Sequence, residues 1–117
     1  VLPATISEEA LLAEIESLNQ DPTVDGILVQ LPLPAHMNPF RITHHIHPEK
    51  DVDGFHPYNV GRLLIGEHTG FLPCTPLGIK MLMDRCAIEM TGKHVLIIGR
   101  SNIVGKPMAA MLMQGMP

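Results

Sequence analysis

Residues 99–108, GRSNIVGKPM, combine residue types that commonly hold phosphate groups in proteins. They follow the apolar run HVLIIG, and a turn from a buried strand into a helix directs backbone N–H groups at an anion. Arg100 could also pair with a phosphate in fork geometry, as the 2′-phosphate of a dinucleotide would require. The glycines, Gly99 and Gly105, do not have the spacing of the dinucleotide-binding fingerprint. An ordinary strand-to-helix turn therefore stays open as the alternative.

A single carboxamide, Gln30, interrupts the apolar stretch ILVQLPLP. We predict that it lies at the carboxyl end of a strand, the edge at which open α/β sheets bind ligands. A buried amide needs partners for its donors and its acceptor, and the edge of a heterocycle would supply both. The alternative is a structural amide bonded to the backbone of a loop.

Two carboxylates stand on either side of Val52 in the stretch PEKDVDGFHPYNVG. In an extended segment Asp51 and Asp53 would point the same way, so that they could share a metal ion or an acid–base task. Spacing alone favours another interpretation, in which an aspartate caps a turn before Gly54.

Four histidines fall close together in the sequence: His44, His45, His47 and His56. Zinc sites favour regular ligand spacing, usually shared with cysteine, and no such arrangement is present in the sequence. No metal site is therefore predicted.

The composition excludes several classes of partner. With 12 acidic and 8 basic residues the formal net charge is -4, and the absence of a basic cluster argues against nucleic acid or an anionic membrane. No apolar stretch approaches the roughly 20 residues of a membrane span. Cys74 and Cys86 lack a C-x-x-C partner, so we expect ordinary reduced thiols of a cytosolic or organellar protein.

Helix and strand signals alternate in the first half of the chain. SEEALLAEIESLNQD predicts an amphipathic helix that Ser7 caps. Its apolar face comprises Leu11, Leu12, Ile15 and Leu18. ILVQL predicts a strand covered on both faces. A short helix is expected over residues 40–46, and residues 47–73 are expected to be irregular and functional.

The second half continues the alternation. Thr75 is the expected cap of a helix whose first position is Pro76. Apolar residues at helical spacing then predict a core-facing side, carried by Leu77, Met81, Leu82 and Cys86. HVLIIG predicts a second buried strand, and Pro107 the start of a last helix. The core face of this last helix comprises Met108, Met111 and Leu112. Such alternation predicts a mostly parallel α/β sheet, with a domain boundary near Pro73.

Four segments together carry a family resemblance. They are DGILVQLPLP, PEKDVDGFHPYNVGRL, FLPCTPLGI and GRSNIVGKPM, in this order. The chain resembles the bifunctional methylenetetrahydrofolate dehydrogenase/cyclohydrolase family over nearly all of its length. The resemblance implies parts of two α/β domains. Residues 1–73 would be the C-terminal part of a folate-binding catalytic domain. Residues 74–117 would be the linking helix and first βα unit of a Rossmann-like NADP-binding domain.

The resemblance also implies an activity and the residues that serve it. The family oxidises 5,10-methylenetetrahydrofolate with NADP⁺ and hydrolyses the methenyl product to 10-formyltetrahydrofolate. The implied folate-cleft residues are Val29, Gln30 and Leu31, with Gln30 beside a catalytic lysine, and Asp53 as the group that grips the pterin edge, whereas Asp51 is structural. The implied NADP residues are Gly99, Arg100 and Ser101, with Thr75 at the border of the cofactor cleft. The family uses no metal.

The same resemblance implies a cytoplasmic homodimer that binds tetrahydrofolate derivatives and neither nucleic acid nor membrane. Its Tyr-x-x-x-Lys motif should precede Val1 and is not in this sequence. We therefore expect a piece of a longer protein that is inactive by itself, with VLIIG as an exposed edge prone to pairing with other chains. A relative with one of the two activities and a histidine-rich metal-binding module are the alternatives.

Overall fold

The structure, a computed structural model, describes residues 2–67 and 69–114. Five helices account for the regular structure of this part of the chain. They are α1 (Glu8–Gln20), α2 (Pro39–Thr43), α3 (Pro57–Ile65), α4 (Cys74–Arg85) and α5 (Gly105–Met113).

Helix α1 begins as predicted, because the Ser7 hydroxyl accepts a hydrogen bond from the Ala10 N–H at 3.1 Å. Its buried side carries Leu11, Leu12 and Ile15, with Leu18 packed beside them. The same core cluster also contains Ile27, Met37, Ile42 and Ile46. The predicted apolar face of α1 is thus confirmed, and it covers the segment that precedes Gln30.

Helix α2 ends earlier than predicted and begins at Pro39. The Asn38 side chain accepts from two N–H groups of its first turn, which fixes the start. The Glu8 carboxylate also accepts from the Asn38 N–H and lies 2.6 Å from Nη1 of Arg41. These contacts hold α2 against the start of α1.

Helix α3 lies inside the stretch that was expected to be irregular, so that expectation is wrong for residues 57–65. Pro57 presets the dihedral angle of the first turn and the His56 ring caps it. Gly66 ends the helix in the left-handed region, with φ of 78°. These are ordinary start and stop signals, which the density of glycines in this stretch concealed.

Helix α4 begins one residue before the predicted cap. Thr75 lies within its first turn, Pro73 occupies the cap position, and no side chain caps the helix. Pro76 is tolerated at the third position because the first-turn N–H groups have no partner inside the helix. The predicted core face is wrong for Met81 and Leu82, which are 50% and 61% exposed, since nothing in the described residues covers that side.

Helix α5 begins at Gly105, two residues before the predicted Pro107. Met108 and Met111 are buried as predicted, and Leu112 is half-buried. Ala110 and Met111 pack against Leu63 of α3. Leu77 of α4 and Leu72 complete this second cluster. The side chain of Gln114 donates to the carbonyls of Leu63 and Leu64, so α5 also caps the end of α3.

Neither predicted strand forms a ladder in the described residues. The first contributes one parallel bridge, between Ile27 and Asp51, and its Leu28 is 57% exposed. The second is wholly unpaired, with Leu96 and Ile98 86% and 95% exposed. The prediction that these segments are buried on both faces is therefore wrong here, because a strand needs neighbours to be covered.

Candidate functional site

A cleft of about 610 Å³ separates α2 and α3 from the loop that precedes α5. Its apolar lining comprises Leu31, Pro39, Phe40, Phe55, Pro57, Val60 and Ile103. Its polar lining comprises Thr43, His44, Ser101, Asn102 and Lys106. Of the residues predicted from the sequence to form a site, Leu31 and Ser101 meet here. The cleft thereby joins the segment after the first predicted strand to the glycine loop.

The Phe55 wall of this cleft is fixed by a tight turn. The Gly54 N–H donates to the Asp51 carbonyl at 3.0 Å, and Gly54 has φ of 66°. A side chain at position 54 would approach Leu72 and Pro73 backbone atoms to 2.7 Å, so the turn requires glycine. The predicted turn is confirmed, and the extended arrangement that would have aligned the two aspartates is not formed.

Asp51 is 1% exposed and serves the wall rather than the cleft. Its carboxylate accepts from the His56 N–H at 2.8 Å and from the Asn59 amide at 2.9 Å. Asn59 is itself 2% exposed and donates to the Pro48 carbonyl. A buried carboxylate with such donors stabilises the loop that holds Phe55.

Asp53 has a different environment, half-buried within the same turn and outside the cleft lining. Burial raises the pKa of its carboxyl, and the neighbouring Asp51 charge raises it further. A carboxyl group whose charged form is disfavoured is typical of binding and catalytic sites.

Lys50 sets the register between the two segments that carry Gln30 and Asp53. Its ammonium donates to three carbonyls at the end of α1, with distances of 2.7–2.9 Å. Its own carbonyl accepts from the Ile27 N–H at 2.7 Å. A side chain at Gly26 would lie 2.3 Å from Val52, so the segments pack closely at this point.

Gln30 and Val29 do not line the cleft. They lie on a separate, mostly apolar groove of about 760 Å³ that Leu33 and Met37 also line. Gln30 is exposed, and its Nε2 donates to the Leu31 carbonyl at 2.8 Å. The prediction of a buried amide is therefore wrong in this structure. The alternative, an amide bonded to loop backbone, describes it.

The loop over residues 99–105 folds tightly on itself. A side chain at Gly105 would lie 2.5 Å from the Gly99 carbonyl oxygen, so the backbone passes itself too closely for any other residue. The Ser101 hydroxyl accepts from the N–H groups of Val104 and Gly105 at 3.1 and 3.3 Å. The Ser101 carbonyl accepts from the Lys106 N–H at 3.0 Å.

These bonds correct one sequence prediction. The first N–H groups of α5 were expected to face an anion, yet Ser101 occupies them, and Pro107 has no N–H to offer. The positive charge that would attract an anionic ligand must therefore come from side chains. Gly99 and Arg100 are exposed at the start of the loop, outside the cleft lining. Thr75 is exposed on α4, also outside that lining.

Two lining residues were missed by reasoning from the sequence. Lys106 is the one lysine, arginine, aspartate or glutamate among the described lining residues, and its Nζ lies 2.6 Å from Oδ1 of Asn102. A cation in the first turn opposes the helix dipole, which was a usable signal of a role outside the helix. His44 lies edge-on to Phe40, with ring centroids 5.9 Å apart. His44 was not recognised as a lining residue because the bounds of α2, and so the position of its end, were predicted incorrectly.

Within residues 2–67 and 69–114, no three histidine, cysteine or acidic side chains come close enough to hold a metal ion. The histidine cluster of the sequence is spread over the C-cap of α2, the loop after it and the N-cap of α3. Both cysteines are free and exposed. In the same part of the chain no helix has the length and apolar character needed to cross a membrane.

Comparisons with known proteins match both halves of the chain. Residues 1–53 match the model for tetrahydrofolate dehydrogenase/cyclohydrolase, catalytic domain. Residues 73–116 match the model for tetrahydrofolate dehydrogenase/cyclohydrolase, NAD(P)-binding domain. The two models together cover most of the sequence.

Similar proteins point the same way. The chain is 70% identical over 116 residues to the Bifunctional protein FolD of Protochlamydia amoebophila, covering 99% of this chain and 40% of that protein. The bifunctional enzyme FolD from Campylobacter jejuni superposes with a TM-score of 0.94 at 54% identity, over 97% of this chain and 40% of that one. The Trypanosoma brucei dehydrogenase-cyclohydrolase, solved with NADP cofactor and inhibitor, gives 0.90 at 39% identity, over 97% and 38%.

The predicted fold class is confirmed by these structures. The chain holds parts of two α/β domains, and the second part is the start of a Rossmann-like NAD(P)-binding domain. It spans about 40% of the length of the relatives that it matches.

Proposed function

Since the chain belongs to the tetrahydrofolate dehydrogenase/cyclohydrolase family, we propose that the protein of which it forms part catalyses both reactions of that family. It oxidises 5,10-methylenetetrahydrofolate to the methenyl form with NADP⁺ as hydride acceptor. It then hydrolyses the methenyl product to 10-formyltetrahydrofolate. The names of the similar proteins, which join dehydrogenase and cyclohydrolase, support both activities.

One observation carries this proposal. The cleft is lined from one side by Leu31, in the part that matches the catalytic-domain model. It is lined from the other side by Ser101 and Lys106, in the part that matches the NAD(P)-binding model. Direct hydride transfer needs donor and acceptor carbons in contact, so substrate and cofactor must share one cleft. A volume of about 610 Å³ is in the usual range for small-molecule sites.

We assign the folate to Val29, Gln30, Leu31 and Asp53, of which Leu31 lines the cleft, Val29 and Gln30 line the separate groove, and Asp53 lies in the turn that precedes Phe55. Asp53 is placed to hold the edge of the pterin ring, because a half-buried carboxyl with a raised pKa exchanges a proton readily with a heterocycle. The exposed Gln30 amide has free hydrogen-bonding capacity beyond its bond to Leu31. In the complete protein we expect this amide to meet the catalytic lysine.

We assign the NADP⁺ phosphates to the loop and the side chains that border it. The residues present fit this group, since Gly99 leaves open space beside an exposed backbone and Arg100 presents an exposed guanidinium. Ser101 keeps the loop in shape by holding the first N–H groups of α5. Thr75 borders the cofactor from α4, and Lys106 adds a cation at the cleft.

We further propose the organisation of the complete protein. The domain boundary falls near Pro73, with residues 1–73 in the folate-binding domain and residues 74–117 in the NADP-binding domain. The protein is a cytoplasmic homodimer that supplies formyl groups to purine biosynthesis. It has no nucleic-acid or membrane partner, which the net charge of -4 supports.

A chimera tests the activity. This chain replaces the aligned 116 residues of the Protochlamydia amoebophila relative, and both reactions are followed by absorbance. We expect both rates to stay within about tenfold of the parent enzyme, because core and cleft contacts are kept at this identity. A folded chimera without either activity would refute the proposal, and loss of one alone would favour a monofunctional protein. The 117-residue chain by itself should show no turnover.

A further inference from the structure

His56 stands directly behind one wall of the cleft. Its neighbours in sequence, Phe55 and Pro57, both line the cleft, whereas its own ring is half-buried behind them. Nδ1 of the ring accepts a hydrogen bond from the Tyr58 N–H at 3.1 Å and so caps α3. The backbone N–H of the same residue donates to buried Asp51 at 2.8 Å. One residue thus joins the turn, the helix and the wall.

The cap requires a neutral imidazole. Because Nδ1 accepts a hydrogen bond, the ring proton must be on Nε2. Protonation of Nδ1 would turn the acceptor into a donor and set it against the Tyr58 N–H. The first turn of α3 would then lose its side-chain cap.

Burial and the neighbouring charged groups set the pKa of the His56 ring. Burial lowers the pKa of His56 and is the largest influence. The Asp51 carboxylate raises it, while the His44 and His47 imidazoles lower it when they are charged. The rings of His44 and His56 lie 6.0 Å apart, and His44 itself lines the cleft. Protonation of His56 would therefore place a positive charge beside a ring that lines the cleft.

We propose that His56 is a positioning residue that holds the Phe55–Pro57 wall of the cleft in its neutral form alone, so that protonation of this imidazole weakens ligand binding in acid. This inference deepens the proposed function and rests on it for the identity of the ligand. The neutral form dominates at neutral pH. Folding favours it, so the stability that the cap contributes is complete above the ordinary histidine pKa of 6.5 and is lost as the pH falls below that value.

Enzyme kinetics of the chimera test the inference. His56→Asn keeps a side-chain oxygen that can cap the helix but does not titrate, and His56→Ala has no cap. We expect His56→Ala to raise the KM for 5,10-methylenetetrahydrofolate about five- to tenfold at neutral pH. His56→Asn should bring the KM most of the way back to the wild-type value. We also expect the acid decline of kcat/KM to be reduced in His56→Asn. His45→Asn, at an exposed position in the loop after α2, is the matched control and should keep the wild-type profile.

A second measurement does not depend on activity. NMR titration of the chimera should show the Nε2-protonated tautomer of His56 and loss of Tyr58 amide protection in step with ring protonation. An unchanged acid decline in His56→Asn, or Tyr58 protection that is independent of the ring, would overturn the inference. A chimera inactive at every pH would count against the proposed function alone, because the titration still decides the role of His56.

Discussion

The binding role proposed for Asp53 conflicts, at the scale of a single residue, with the stability of the folded chain. Its carboxyl is half-buried next to the charge of Asp51, and both influences raise its pKa above the ordinary value of 3.8. The folded chain therefore binds the proton more tightly than the unfolded chain. It loses stability as the pH rises from 3.8 through the raised folded-state value, and the penalty persists at neutral pH.

Asp53→Asn should accordingly raise the melting temperature of the chain at neutral pH, because it removes a disfavoured charge. The gain should vanish in acid below the pKa of the unfolded carboxyl. Thermal unfolding at both pH values checks this, with Asp25→Asn, at an exposed position, as the control. The same substitution in the chimera should abolish folate turnover. A lower melting temperature at neutral pH would show that the charged carboxylate stabilises the fold.

The role in cofactor binding that we propose for Lys106 is based on its position in the cleft lining. It stands in the first turn of α5, where the helix dipole disfavours a cation, and it faces the cleft beside Asn102. We expect Lys106→Ala to weaken NADP⁺ binding to the chimera about tenfold, or about 1.4 kcal/mol, and to reduce the salt dependence of binding.

Titration calorimetry with NADP⁺ and NAD⁺ distinguishes the phosphates. An equal loss for both cofactors places Lys106 near the pyrophosphate, and a loss for NADP⁺ alone places it near the 2′-phosphate. Lys93→Ala, outside the cleft lining, is the control. Unchanged affinity for both cofactors in Lys106→Ala would contradict a binding role.

The glycine loop and α5 form the element that joins the two parts of the site. Gly105→Ala should destabilise the chain by about 2–3 kcal/mol, because the new carbon meets the Gly99 carbonyl at 2.5 Å. Gly78→Ala is the matched control, since it lies inside α4 with open space around it and should stabilise the helix by about 1 kcal/mol. Denaturant unfolding of both variants measures the difference. Equal effects would show that the loop relaxes around the added carbon.

An element could be predicted from the sequence where its start, stop and periodicity signals are local and clear. Helix α1 is predicted well because Ser7 and its apolar face are local signals. Helix α3 was missed because its signals, Pro57 and Gly66, sit among other turn residues. The turn before Gly54 and the glycine loop were predicted from motifs. The burial of Asp51 and the cap formed by Ser101 were not predicted, because both depend on contacts between backbone segments that periodicity does not reveal.

At the scale of the whole molecule the chain is less compact than a closed domain. Its radius of gyration is 16.1 Å, whereas a compact domain of about 100 residues has about 13 Å. The unpaired segment over residues 94–99 is the main exposed apolar stretch near the glycine loop, with Leu96 86% and Ile98 95% exposed. An unpaired strand of this kind is a template for pairing with other chains.

The 117-residue chain should therefore associate as its concentration rises, and Leu96→Lys should suppress that association. Sedimentation velocity over a concentration series measures both. Ile65→Lys, which replaces an apolar side chain that is 76% exposed at the end of α3, is the control and should change association little. A wild-type chain that stays monomeric at every concentration would show that the exposed segment does not mediate pairing.

The central claim is that folate and dinucleotide meet in the cleft between Leu31 and Lys106. A crystal structure of the chimera with NADP⁺ and a non-reactive folate analogue tests it most directly. The account predicts the reacting carbons of the two ligands within about 3.5 Å of each other, with Asp53 on the pterin edge and Arg100 on the phosphates. A cofactor bound away from the loop over residues 99–105, or a pterin out of reach of Asp53, would contradict it.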